Sequence, residues 1–343
     1  MRTLVTGAAG FIGSTLVDRL LAEGHMVVGV DNFSTGNAAN LDAALASNAG
    51  NKTRFTMVNL DIQAPELTDV VAAGNPEVIF HLAAHVDLRA SVSNPDFDAR
   101  TNILGTINLC EASRRAGVKR VVYAASGGSR YGVPAQLPVN ETAPVGPLSP
   151  YAVAKLAGEL YLGAYAQMYG MAPICLGLAN VYGPRQSPLG EAGVIAVFGS
   201  ALITGRAATV YGDGTSSRDY VYVGDVVDAF VCAAEAPLSV GGTYNIGTGV
   251  QTTVVDVYRM IASVLGESAE PEYGTPRAGE LHAIALDAKR SELDLGWRPA
   301  VRLFEGIQRT VSWLETVVGP RQDGSRALGA DAISAGEDAC RAS

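Results

Sequence analysis

The chain has 343 residues, 48% of them hydrophobic and only 17% charged against a usual charged share of about 25%, a composition that excludes both a wholly disordered chain and a small disulfide-held scaffold. Acidic residues outnumber basic ones by 34 to 25, and the net charge of −9 offers no overall positive field to nucleic acid or to an anionic membrane. The 39 glycines point to many tight turns.

Met1–Thr6 runs directly into a glycine turn, too short for the apolar region of a signal peptide, and no later stretch approaches 18 uncharged apolar residues; a soluble cytoplasmic protein is expected. Apolar runs at Thr3–Thr6, Met26–Asp31, Arg54–Val58, Val78–His81 and Val121–Ala125 predict strands. Between them Phe11–Ala22, Ala64–Ala73 and Ala99–Ala116 predict helices, because apolar residues recur three and four apart. This alternation is that of an α/β fold around a doubly wound parallel sheet. Asn32–Asn51, rich in Asn, Gly, Ser and Ala, reads as a long loop with one helical turn. Beyond Gly183 come a loop to Gly193 and helices near Val194–Thr204, Asp225–Ala234, Val254–Leu265 and Leu303–Val317, with short strands between. The expected division is a nucleotide-binding domain over 1–180 with a returning segment near 210–235, a smaller α/β substrate domain over 181–318, and a disordered tail over 319–343 that lacks any apolar period. Cys110, Cys175, Cys232 and Cys340 lie far apart, and His25, His81, His85 and His282 show no ligand spacing, so no metal is expected.

Gly7-Ala8-Ala9-Gly10-Phe11-Ile12-Gly13 follows a predicted strand and opens a predicted helix, the context in which a glycine triplet marks a Rossmann-type dinucleotide site. Gly7 permits the turn, Gly10 bares the backbone to a pyrophosphate, and Gly13 lets the helix pack on the strand with its N-terminus toward the phosphates. Asp31 ends the next strand, where a carboxylate accepts bonds from ribose hydroxyls and repels a 2′-phosphate; this favours NAD over NADP. Asn32, Ser34, Thr35 and Gly36 are placed to surround the ribose, Asp61-Ile62 to hold the adenine, and Leu82-Ala83-Ala84 to leave room for the cofactor backbone.

Ser149-Pro150-Tyr151 reads as a helix start, and Tyr151 and Lys155 then share one helical face. A lysine ammonium and an oxidised nicotinamide beside a phenol would depress its pKa and make Tyr151 a base for an alcohol proton.

Together the glycine turn, Asp31, His81-Leu82-Ala83-Ala84, Asn102-Ile103-Leu104-Gly105-Thr106, Ser126 to Tyr131-Gly132, Tyr151-Ala152-Val153-Ala154-Lys155 and Arg218-Asp219-Tyr220 resemble the extended short-chain dehydrogenase/reductase family, and within it the UDP-glucose 4-epimerase group, over residues 1 to about 318. The resemblance implies an enzyme that interconverts UDP-glucose and UDP-galactose by NAD-dependent oxidation at C4, rotation of the 4-keto sugar and reduction on its opposite face. Tyr151 would take the 4-hydroxyl proton, Lys155 would hold the nicotinamide ribose, and Asn102 would bind near the cofactor. The family places a Ser or Thr after the fifth strand beside the tyrosine. Ser126 is the natural candidate and Ser129 a second, since Gly127 stands on the usual hydroxyl position. For the substrate, Asn180 matches the family asparagine, Arg218 and Arg277 the diphosphate-binding arginines, and Glu280 the acid on the uridine ribose. Ile284 falls where a large tyrosine narrows the pocket in the family, implying activity on N-acetylated UDP-sugars. The helices Ala99–Ala116 and Pro150–Gly170 imply a homodimer.

The competing readings are other UDP-sugar enzymes and a regulator that binds NAD without catalysis. Gly128 and Ser129 replace the acid and base of a 4,6-dehydratase, whereas Arg130, basic where the family is apolar, leaves a UDP-glucuronate epimerase or decarboxylase open through contact with a uronate carboxylate.

Overall fold

The computed structural model describes residues 1–48, 53–189, 193–268, 270–276 and 281–319. Six consecutive parallel strands, β1 (Arg2–Thr6), β2 (Met26–Asp31), β3 (Phe55–Asn59), β4 (Val78–His81), β5 (Arg120–Ser126) and β6 (Ile174–Leu178), are joined at the edge by a seventh, Gly242–Ile246. The order across the sheet is Gly242–Ile246, β6, β5, β4, β1, β2, β3. β4, β6 and nearly all of β5 are buried, which is why these strands read as continuous apolar runs with no alternation.

The chain builds outward from β1 to β3, then returns to place β4 on the other side of β1, with Thr6 level with both Val30 and His81. Connections on the two sides of β1 therefore diverge at its C-terminal end, and a crevice opens there. The first helix (Phe11–Ala22) and the helix Val223–Glu235 cover one face through Leu16, Val17, Leu20 and Phe230, while Leu109 and Leu162 of the helices Gly105–Arg115 and Pro150–Tyr169 cover the other. A further core gathers Phe198, Tyr258, Ile261, Val311 and Leu314 from the C-terminal helices.

Of the stretches that differ from the sequence reading, two stand out. Between Asn32 and Ala46 the structure has a 3₁₀ turn at Ala38–Leu41, capped by Asn37 Oδ1 on Ala39 N at 3.0 Å, running into a helix at Asp42–Ala46. The helix expected over Ala99–Ala116 begins at Pro95, capped by Asn94, and widens to a π-turn at Arg100–Leu104 before continuing to Arg115. Apolar periodicity cannot register a single widened turn, and here it carries Asn102. The predicted tail lies outside the described residues apart from Gly319. Among the described residues no helix is long and apolar enough to cross a membrane.

Candidate active site

Gly7 has φ +71°, and a Cβ there would lie 2.7 Å from Ala83 N. At Gly13 a Cβ would run into the Gly7 carbonyl, so the first helix can rest on the turn only without a side chain. Gly10 caps that helix with no side chain of its own and no acid follows in the first turn, which leaves the helix N–H groups and the positive end of its dipole for an anion. These bare positions fit a dinucleotide pyrophosphate. Asp31 accepts from Ala9 N at 2.9 Å and from Phe33 N at 2.8 Å, tying the glycine turn to the end of β2. Each carboxylate oxygen keeps a second acceptor site, which suits ribose hydroxyls. A Cβ on Gly36 would lie 2.9 Å from Asp31 Oδ1. Asn32 donates to Asp61 Oδ2 at 2.8 Å and accepts from Ser34 N at 3.0 Å. Thr35 is exposed, whereas Ile62 is buried and its carbonyl accepts from Asn108. Phe11 and Ile12 form the first turn of the helix.

The sequence reading missed the hub of this region. His81 is fully buried between Thr6 Oγ1 at 2.8 Å and Thr106 Oγ1 at 3.0 Å. Thr106 gives its proton to Asn102 O, so it accepts from His81 Nε2, and His81 Nδ1 accepts from Thr6. Thr6 Oγ1 in turn accepts from Leu82 N and Ala83 N, both at 3.2 Å. One neutral imidazole thus ties the glycine turn, the segment after β4 and the Asn102 turn. Burial, with the charge of Lys155 behind it, pushes its pKa down to about 3. The available signal was a histidine and two threonines in otherwise apolar runs. Asn102 Oδ1 accepts from His85 N, and its Nδ2 donates to His85 O and to buried Asp98, all at 2.9 Å; it positions the segment after β4.

Ser149 Oγ accepts from Ala152 N and Pro150 follows, so the Tyr151–Lys155 helix starts where the cap places it. Ser126 lies beside Tyr151, near enough for its hydroxyl to pull the phenol pKa down, and Ser129 Oγ donates to Ser126 Oγ at 2.7 Å. Of the two serine candidates, Ser126 meets the tyrosine and Ser129 stands behind it. Lys155 Nζ donates to Ala124 O at 3.0 Å and lies 5.0 Å from the centre of the Tyr123 ring, which itself stacks on His81. Within the chain alone, enclosure pushes the Tyr151 phenol up to about 12, the Ser126 hydroxyl pulls it down and Asp98 pushes it up; the expected depression counts on an oxidised nicotinamide as well as Lys155. The one cation of that expectation held by the chain, Lys155, directs its hydrogen bond to backbone. Lys155 itself falls to about 8 through desolvation, against the pull of Asp98 and Glu159.

Arg130, half-buried, pairs with the buried Glu159, and Thr243 donates to the same carboxylate. This corrects the reading of Arg130 as a cation for a uronate. Asn180 is exposed with Oδ1 3.8 Å from a built Cβ on Gly128, which places it beside the hydroxyl turn, and Asn180 N donates to Asp219 O at 2.9 Å. Arg218 Nη1 donates to Ser217 O at 2.9 Å, adjoining a 310 Å³ cavity lined by Tyr211, Asp213, Ser216, Pro276 and His282. Asp219, fully buried, accepts from Thr248, Gly249 N and Leu286 N and so fixes the backbone around Arg218. Ile284 is buried against Tyr131, Val139 and Leu286. Arg277 and Glu280 lie outside the described residues.

Residues 3–247 match the family described as the NAD dependent epimerase/dehydratase family. The chain is 51% identical over 313 residues to the UDP-glucose 4-epimerase of Mycolicibacterium smegmatis, covering 91% of this chain and 98% of the relative. The crystal structure of a Thermotoga maritima UDP-glucose 4-epimerase with UDP-glucose superposes with a TM-score of 0.87 at 39% identity, covering 93% of this chain and all of that one. A Thermus thermophilus UDP-glucose 4-epimerase in complex with NAD gives 0.83 at 39% identity, with 92% and 99% covered. A glycine turn at the sheet crevice, a Ser–Tyr–Lys constellation beside it and these likenesses along nearly the whole chain agree: it belongs to the NAD dependent epimerase/dehydratase family.

Proposed function

We propose that this chain is a UDP-sugar 4-epimerase that interconverts UDP-glucose and UDP-galactose and also takes N-acetylated UDP-sugars. The observation that carries this is Tyr151 set beside Ser126, with Lys155 one turn on, joined through Tyr123 and His81 to the glycine turn. Bound NAD would supply the hydride acceptor and donor. Gly7, Gly10, Gly13 and the N-terminus of the first helix would hold its phosphates and Asp31 its adenosine ribose, while Asn102 would fix the segment after β4, with Ala83, beside it. Tyr151 takes the proton from the sugar 4-hydroxyl and returns it once the sugar has presented its other face, while Ser126 donates to the phenol oxygen and Lys155 adds positive charge. Asn180 and Arg218 hold the sugar nucleotide, the planar guanidinium suiting a diphosphate, and Arg277 and Glu280 are assigned to it on sequence match. Residues 181–318, apart from the helix and strand between Val223 and Ile246, form the substrate lobe. Arg130 is spent on Glu159, which removes the observation that favoured a uronate enzyme.

The Tyr151–Lys155 helix exposes Leu160 and Met168, and the neighbouring turn exposes Leu104. We take this face as the contact of a cytoplasmic homodimer. Sedimentation should show a dimer that Leu160→Arg dissociates; a monomeric native protein overturns the assignment.

Incubation with UDP-galactose and NAD tests the activity. The native protein should yield UDP-glucose, and Tyr151→Phe should retain NAD while losing at least about 100-fold in kcat, the lower end of general acid–base catalysis. Unchanged turnover in that variant removes Tyr151 from its role, and turnover of other UDP-sugars alone overturns the substrate.

A further inference from the structure

The hydroxyl beside Tyr151 comes from a turn with little freedom. β5 ends at Ser126, and at the next residue, Gly127, a built Cβ lies 2.6 Å from Gly177 O and runs into Leu286 Cδ1. Backbone on one side and a buried side chain on the other therefore exclude any side chain at 127, hydroxyl or not. The single turn Gly127–Arg130 then brings Ser129, three residues on, over Ser126. Ser129 Oγ donates to Ser126 Oγ at 2.7 Å, and Ser126, at the end of β5 two residues past the Ala124 carbonyl that holds Lys155, lies beside Tyr151. A hydroxyl has one proton to give, so Ser126, accepting from Ser129, keeps its own for the phenol oxygen. The turn is anchored twice at its C-terminal end: Gly146 N donates to Arg130 O at 2.9 Å, and the Arg130 guanidinium is paired with Glu159, one helical turn beyond Lys155. Ser129 cannot swing away as an exposed loop hydroxyl does.

We infer that Ser129 is a positioning residue that acts through Ser126, so that the proton-transfer site uses two serines in series where Gly127 can carry none. The donors align from Ser129 to Ser126 to Tyr151, and each bond in such a chain polarises the next, favouring charge on the phenol oxygen. The other groups whose charges reach Tyr151 are Asp98 from the helix Pro95–Ala99 and Tyr123 from β5; Lys155 shares its helical face and is itself reached by Asp98 and the Arg130-paired Glu159. The inference rests on Tyr151 being the base, as proposed above.

The test uses the NAD-loaded protein and reads Tyr151 ionisation directly, as the tyrosinate absorbance that differs from that of Tyr151→Phe. Ser129→Ala should move this titration upward by about half to one pH unit, the worth of one neutral hydrogen bond. The acid limb of kcat on UDP-galactose should move by the same amount, with kcat near neutrality falling about 3- to 10-fold and KM unchanged. Ser129→Thr should restore both, and Ser129→Ala should add nothing in a Ser126→Ala background. An unmoved titration, a Ser129 effect that survives without Ser126, or a raised KM at constant kcat overturns the inference, the last by placing Ser129 on the substrate. Retained turnover in Tyr151→Phe would overturn the base assignment instead, and the two failures are read separately.

Discussion

His81 shows how a residue with no place in the chemistry can govern the groups that have one. Its two nitrogens face two threonine hydroxyls, a set that a neutral ring satisfies and a doubly protonated ring does not, because Thr6 already uses its acceptor sites on Leu82 N and Ala83 N. Burial in addition holds the folded pKa at about 3 against 6.5 for an unperturbed imidazole. The sign follows: between those values the unfolded chain takes up a proton that the folded chain refuses. The stability His81 confers is therefore whole above about pH 6.5 and is lost progressively as pH falls toward the folded value. His81→Phe keeps a ring but loses both bonds, and should lower stability near neutrality by about 1–3 kcal/mol. Because the variant cannot titrate here, its deficit against the native protein should shrink as pH falls. Urea midpoints of both proteins at about pH 7 and about pH 5 check this; a constant deficit would show that His81 is not the titrating group.

Elements whose signal is local and backbone-driven were legible in the sequence. The glycine turn is the clearest case, because Gly7 must adopt positive φ and Gly13 must admit the Gly7 carbonyl, and both demands name the residue type. Strand ends were equally plain: Asp31 and His81 close apolar runs, and Pro150 after Ser149 starts a helix. What stayed hidden depends on residues far apart in the chain. The partners of His81 are 75 and 25 residues away, and Arg130 meets Glu159 across 29. The enclosure that raises the Tyr151 pKa within the chain is hidden for the same reason, being a tertiary property that the Tyr–Lys spacing does not carry. Gly13→Ala tests the element directly. A methyl driven into the Gly7 carbonyl must push the first helix off β1, at a cost of about 1–3 kcal/mol, and the displaced N–H groups should weaken NAD binding more than about tenfold. Isothermal titration with NAD and thermal melting read the two effects, and unchanged NAD affinity would remove this turn from the cofactor site.

At the scale of the whole molecule, the sheet is completed by a strand from late in the chain. Gly242–Ile246 reaches β6 only after the chain has left through residues 180–222 and returned along the helix Val223–Glu235. Arg120, the first residue of β5 and 2% exposed, secures this return. Its Nη1 donates to Ala172 O at 2.7 Å and Val240 O at 2.9 Å, and its Nη2 to Ala236 O at 2.9 Å and Pro237 O at 2.7 Å. No carboxylate is among these partners; four carbonyls solvate the guanidinium, and Ala236 caps a helix whose C-terminal dipole favours a cation. Desolvation lowers the Arg120 pKa, so the clamp carries an electrostatic cost. Arg120→Met removes that cost but leaves four acceptors without their donors, and orphaned groups usually weigh more than the pair is worth. The expected outcome is a loss of about 2–4 kcal/mol, or roughly 3–6 °C in melting temperature for a chain of this size. Arg120→Lys should recover only part, because three donors on one nitrogen cannot span carbonyls from two separate segments. Hydrogen exchange should speed up first in Gly242–Ile246 and its neighbour β6, while β1 to β3 stay protected. If Arg120→Met is as stable as the native protein, packing of Tyr244 and Ile246 in the sheet core closes this edge unaided and the buried cation is no clamp.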